Sequence, residues 1–77
     1  MGKTVAERTP KLLDVVALLR DAPDLGLERG QVGTVVDETD ARTVLVEFAD
    51  GEGHTYAMPH LARADLLVLA YERADQH

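Results

Sequence analysis

Leu27-Glu28-Arg29-Gly30-Gln31-Val32-Gly33-Thr34-Val35-Val36 sets two glycines three positions apart immediately before a β-branched run. Glycine adopts positive φ without strain, so Gly30 and Gly33 are expected to turn the chain sharply. Val32, Thr34, Val35 and Val36 are stiff at χ1 and pack well on a pleated surface, so a strand is expected to follow at once. A phosphate-cradling glycine loop would need a helix after Gly33 to aim its N-terminus at the anion, and β-branched residues stand there instead. The stretch reads as a turn feeding a central strand of a small β-domain.

Downstream, Gly33 to Thr39 forms that strand and ends in the acidic run Asp37 to Asp40, with Asp40-Ala41-Arg42 as a turn. Thr43 to Ala49 is the clearest strand, with Val44, Val46 and Phe48 on one face and Thr43 and Glu47 on the other. Asp50-Gly51-Glu52-Gly53 is a hairpin turn, because Asp-Gly tolerates positive φ, and His54 to Met58 returns as a strand. Pro59 to Asp65 is too short for an ordinary helix and reads as one helical turn. Leu66 to Leu69 is the last strand.

Upstream, Arg20 to Gln31 is a long loop punctuated by Pro23 and Gly26, with Leu25 and Leu27 as alternate apolar residues. Loops of that length in small domains are compact or functional. Leu12 to Leu19 is an apolar run broken only by Asp14, read as a first strand with Val16 and Leu18 facing inward. Residues 1–11 are expected to form a flexible arm, since Thr9-Pro10 disfavours helix at Thr9, and residues 70–77 a charged tail. The expectation is an all-β domain over residues 12–69, a small five-stranded SH3-like barrel with one short helical turn before the last strand. Closure would remove exposed edges. Val16, Leu18, Val35, Val44, Val46, Phe48, Tyr56 and Leu67 are its expected core.

The chain has 77 residues, no cysteine and a net charge of −6. Absent cysteine excludes disulfides and zinc–thiolate clusters. The N-terminus shows no hydrophobic signal core, and no apolar run approaches the roughly 20 residues of a membrane span, so a cytoplasmic protein away from membranes is expected. From Leu12 to Leu69 four arginines face eleven acidic residues, a balance of −7. Such a domain repels phosphate backbones at long range and suits a basic protein partner.

Asp14-Val15-Val16-Ala17-Leu18, Asp21-Ala22-Pro23, Leu27, Gly30 to Val36, Val46-Glu47-Phe48 and Tyr56-Ala57 together resemble a family of very small bacterial proteins. That family is labelled only as domain of unknown function 4926. The resemblance spans about Leu12 to Leu69 and implies a compact SH3-like β-barrel with no established activity and no catalytic residues to carry over. Members tend to be encoded alone or beside small proteins of defence or toxin type, which implies a protein partner. A weaker likeness joins Gly30-x-x-Gly33-x-Val35 to the barrels of ribosomal and transcription factors, which bind RNA or proteins.

Side-chain chemistry narrows the function. Serine and cysteine are both missing, so nucleophilic catalysis would fall to a threonine or carboxylate beside a positioned base. Enzyme activity is therefore not expected. His54 and His60 could pair on a metal, yet their spacing with His77 matches no ligand pattern, and no cofactor or metal is assigned. A proline-rich-peptide groove needs aromatic walls, whereas Phe48, Tyr56 and Tyr71 are the only aromatics and Phe48 belongs to the core. Arg20, Arg29, Arg42 and Arg63 could converge on nucleic acid, although acids neighbour each of them. The reading reached is a non-enzymatic acidic module that binds a protein partner, antitoxin- or immunity-like, with a nucleic-acid-binding barrel as its alternative. Its binding residues are Asp21, Asp24, Leu25, Leu27, Glu28 and Arg29 on the long loop. It is expected as a monomer, or as a homodimer through Val15, Leu19 and Leu45.

Overall fold

Alternation along a strand decides where the core lies. In Thr43–Ala49 (β3) Val44, Val46 and Phe48 are buried while Thr43, Leu45 and Glu47 are half-buried, as expected when successive side chains take opposite faces. The computed structural model describes residues 8–69. Most of the proposed arm, the tail, Tyr71 and His77 lie outside the described residues.

Six strands form one antiparallel sheet: β1 (Val15–Leu18), β2 (Val32–Glu38), β3, β4 (Thr55–Ala57), β5 (His60–Ala62) and β6 (Leu66–Val68). Two 3₁₀ turns, Pro23–Leu25 and Arg63–Asp65, are the helical elements among the described residues. The hydrogen-bonded order is β4-β3-β2-β1-β6, and β5 also pairs with β3. The fold is thus all-β, with two corrections to the expectation of a closed, five-stranded barrel.

The strand count rises because part of the helical turn expected over Pro59 to Asp65 is a strand, set off from β4 by Pro59. Proline has no N–H and cannot continue the ladder of β4. Its carbonyl instead accepts the Val46 N–H at 3.0 Å, after which His60–Ala62 pairs with Thr43–Leu45. His60 therefore sits on a strand. The 3₁₀ turn Arg63–Asp65 then carries the chain from β3 across to β1, where Leu66–Val68 pairs with Val16–Leu18. The second correction concerns closure: among the described residues β4 and β6 share no ladder, so the sheet is not sealed by backbone hydrogen bonds.

Val16, Leu18, Leu27, Val35, Val44, Val46, Phe48, Leu61, Leu66 and Val68 form one core. Two expected members are displaced from it. β6 turns Leu66 and Val68 inward and leaves Leu67 opposite Ala17 on the other face, a phase that a wholly apolar run does not reveal. Tyr56 is displaced by a bulge: Phe48 pairs with Ala57 but Ala49 with Thr55, which makes Tyr56 the extra residue on β4. It is 50% exposed. Its ring lies over Phe48 at 6.4 Å, and its hydroxyl accepts the Gln31 Nε2–H at 2.9 Å.

The two glycines of the turn-and-strand stretch do different work. Gly30 has φ +93° and makes the turn. Gly33 lies within β2 without positive φ, and a Cβ there would stand 2.8 Å from both the Glu47 carbonyl oxygen and Val46 Cγ1. It is required by the close approach of β3. Leu13, by contrast, adopts φ +72° with a branched side chain, although it is 72% exposed.

Candidate functional site

The loop between β1 and β2 is compact because its backbone groups satisfy one another. Pro23 sets the φ needed to start the first 3₁₀ turn, and Gly26 ends it at φ +72°. Ala22 and Leu27 exchange backbone hydrogen bonds at 2.9 and 3.1 Å, closing a small ring around that turn. Asp21 Oδ1 accepts the Arg29 N–H at 2.9 Å, and the Gly30 N–H reaches the Leu18 carbonyl at 2.8 Å. The ring drives Leu27 into the core at 1% exposure and leaves Leu25 at 45%.

A groove of about 430 Å³ runs between this loop and the second 3₁₀ turn. Leu18 and Leu61 lie at its base, and Leu25 and Pro23 contribute apolar wall. Asp21, Asp24 and Asp65 also line it, against a single cation, Arg20. Arg20 donates to Asp65 Oδ1 at 3.2 Å, with side-chain exposures of 69% and 30%.

Of the six residues expected to bind, Asp21, Asp24 and Leu25 meet in this groove. Leu27 is corrected to a core residue, because the Ala22–Leu27 bridge aims it inward. Glu28 and Arg29 are exposed on the same loop outside the groove. Arg20, Leu61 and Asp65 also line the groove and are not among those six. Arg20 and Asp65 are 45 positions apart in the chain, and only the pairing of β6 with β1 brings them together.

Arg63 is withdrawn from the surface. Arg63 is only 14% exposed and turns inward to four acceptors. Its guanidinium donates to Glu38 Oε1 at 3.1 Å, to the Asp40 carbonyl at 2.8 Å, to the Ala41 carbonyl at 3.0 Å and to the carbonyl of buried Pro10. This fork ties the chain before β1 to the β2–β3 turn. The Arg63 guanidinium, followed by the Leu12 N–H, holds the Glu38 carboxyl below its ordinary range. Asp40 is lowered chiefly by the Arg42 N–H, and Asp50 chiefly by the His54 N–H. Both are turn residues whose carboxylates accept backbone N–H groups at 2.8–2.9 Å.

His54 lies 3.6 Å from Asp50 and 3.9 Å from Glu52, whereas His60 Nδ1 meets Thr39 Oγ1 at 3.0 Å. Among the described residues no three His, Asp or Glu side chains are grouped to hold a metal ion, and no helix is long and apolar enough to cross a membrane.

A family model described as Domain of unknown function (DUF4926) matches residues 12–68. No curated protein and no solved structure matches the chain.

Proposed function

The chain belongs to the DUF4926 family, and from that premise we propose that it is a non-enzymatic acidic module whose groove takes a basic segment of a protein partner. The observation that carries this reading is an apolar base, Leu18 and Leu61, in a groove that three aspartates, Asp21, Asp24 and Asp65, also line. A Lys- or Arg-bearing segment suits such a surface, since its aliphatic stems cover apolar wall while its charges meet the acids. The net charge of −6 extends the attraction beyond the groove and speeds encounter with a basic surface.

An acidic protein seated on a basic surface withholds that surface from other anions, nucleic acids included. This is the physical sense of an antitoxin- or immunity-like role, exercised in the cytoplasm. Missing serine and cysteine favour binding over covalent catalysis. The rival nucleic-acid reading draws less support, because Arg63 is already engaged with internal acceptors.

The test is capture from the native host with the wild-type chain and an Asp24→Lys control, read by quantitative mass spectrometry. The reading expects one stoichiometric basic protein, released by salt and lost with the control. No such protein, or one retained equally by Asp24→Lys, overturns it. Salt-dependent binding to RNA or DNA that falls with Arg29→Ala or Arg42→Ala would favour the rival.

A further inference from the structure

We infer that Arg20 is a built-in competitor for the partner's cation, occupying Asp65 in the free protein and leaving it when the groove fills. The inference rests on the groove reading above. Arg20 is the one cation among the residues lining the groove, and it pairs with Asp65, one of three aspartates there. Its hold is loose. A single guanidinium nitrogen reaches a single oxygen at 3.2 Å, from a side chain 69% exposed, whereas strong arginine–carboxylate pairs are bidentate. The backbone of Asp65 is held independently of that contact. The Leu19 N–H donates to the Asp65 carbonyl at 2.9 Å, anchoring the second 3₁₀ turn to the end of β1. The Asp65 main chain therefore keeps its place when Arg20 swings into solvent, and its carboxylate is released beside the groove.

A partner's arginine or lysine can then make the same contact with its own stem against Leu25 and Leu61. Breaking an exposed pair costs little, so the competition amounts to a modest, adjustable brake on affinity rather than a lock. It also sets a preference. A segment whose cation cannot reach Asp65 leaves Arg20 in place and faces a positive charge at the mouth of the groove.

The probe is an acetylated, amidated pentapeptide of alternating leucine and arginine, titrated into the full chain with amide shifts of Leu25 and Leu61 as the readout. Wild type should bind with shifts confined to the groove, and Arg20→Gln should tighten binding up to about fivefold. Arg29→Gln, which removes the same charge from outside the groove, should change affinity much less. In an Asp65→Asn background the gain from Arg20→Gln should vanish. Equal affinity of wild type and Arg20→Gln, or equal gains from Arg20→Gln and Arg29→Gln, overturns the competitor while leaving the groove reading intact. Groove shifts absent from every variant overturn both.

Discussion

Replacing Gly33 with alanine puts a methyl group where β3 already stands. The new Cβ would lie 2.8 Å from the Glu47 carbonyl oxygen, 2.8 Å from Val46 Cγ1 and 3.0 Å from Phe48 Cδ2. The first of these is backbone, held in register by the Thr34–Glu47 and Val35–Val46 pairs, and the other two belong to fully buried side chains. None is the free end of a flexible chain, so β2 and β3 must separate by several tenths of an ångström. Overpacking of that kind costs about 1–3 kcal/mol, while the loss of glycine's freedom in the unfolded chain returns roughly 0.4–1 kcal/mol. The steric term wins, and a net loss of about 1–2 kcal/mol follows; for so small a domain that lowers Tm by roughly 4–8 °C per kcal/mol. Gly33→Val adds two more methyls and is expected to unfold the domain. Urea denaturation followed by circular dichroism measures the midpoint. Gly30→Ala is the companion variant, since φ +93° with open space around it isolates the dihedral effect from the clash. A Gly33→Ala midpoint at or above that of wild type would refute the packing argument.

Phe48→Ala removes the largest fully buried side chain and should cost about 3–5 kcal/mol, leaving little folded protein by circular dichroism at room temperature. Leu13→Gly removes a left-handed strain of about 1 kcal/mol at a mostly exposed position; its urea midpoint should equal or exceed that of wild type, and a clear drop would mean that the Leu13 side chain supports the fold. Glu38, Asp40 and Asp50 all have carboxyls lowered by folding. Their stabilisation is complete above the unfolded values of 4.5 for Glu38 and 3.8 for the aspartates, and it fades as pH falls through the folded ones. Melting temperature should accordingly fall below about pH 4.5, with a shallower acid response in Arg63→Gln, which deletes the main cause of the Glu38 shift.

How much of this was legible depended on whether a residue's neighbours in the chain encode its environment. β3 was readable because Val44, Val46 and Phe48 alternate with less buried residues, and Asp50-Gly51 announces its turn. Val16 and Leu18 are legible instead as the centre of the apolar run Leu12 to Leu19, and Val35 as part of the β-branched run after Gly33. Leu66 to Leu69 carries no polar residue to fix its phase, so the run alone does not tell that Leu66 and Val68, rather than Leu67, face inward. β5 is hidden because His60-Leu61-Ala62 is short, follows proline and precedes the turn Arg63-Ala64-Asp65; only its pairing with β3 makes it a strand. In the groove, Asp21, Asp24 and Leu25 could be taken from the loop itself, whereas Leu61 and Asp65 arrive through tertiary pairing. Arg63 looked like one more surface charge because its carbonyl acceptors are backbone atoms, which the side-chain pattern does not record.

The sharing of one β3 edge by two successive strands separates two jobs that a single longer strand would combine. Phe48 and Ala49 carry β4, Thr43–Leu45 carries β5, and the Pro59 carbonyl on Val46 fixes the register of the second independently of the first. A longer turn at Gly51, where the space is open, is therefore absorbed by β4 alone. Leu61, which pairs with Val44 toward the other end of β3, stays in place. The Asp50–Gly53 turn is thus a natural port for an inserted reporter or affinity tag, far enough along β3 to leave the groove open to whatever it binds.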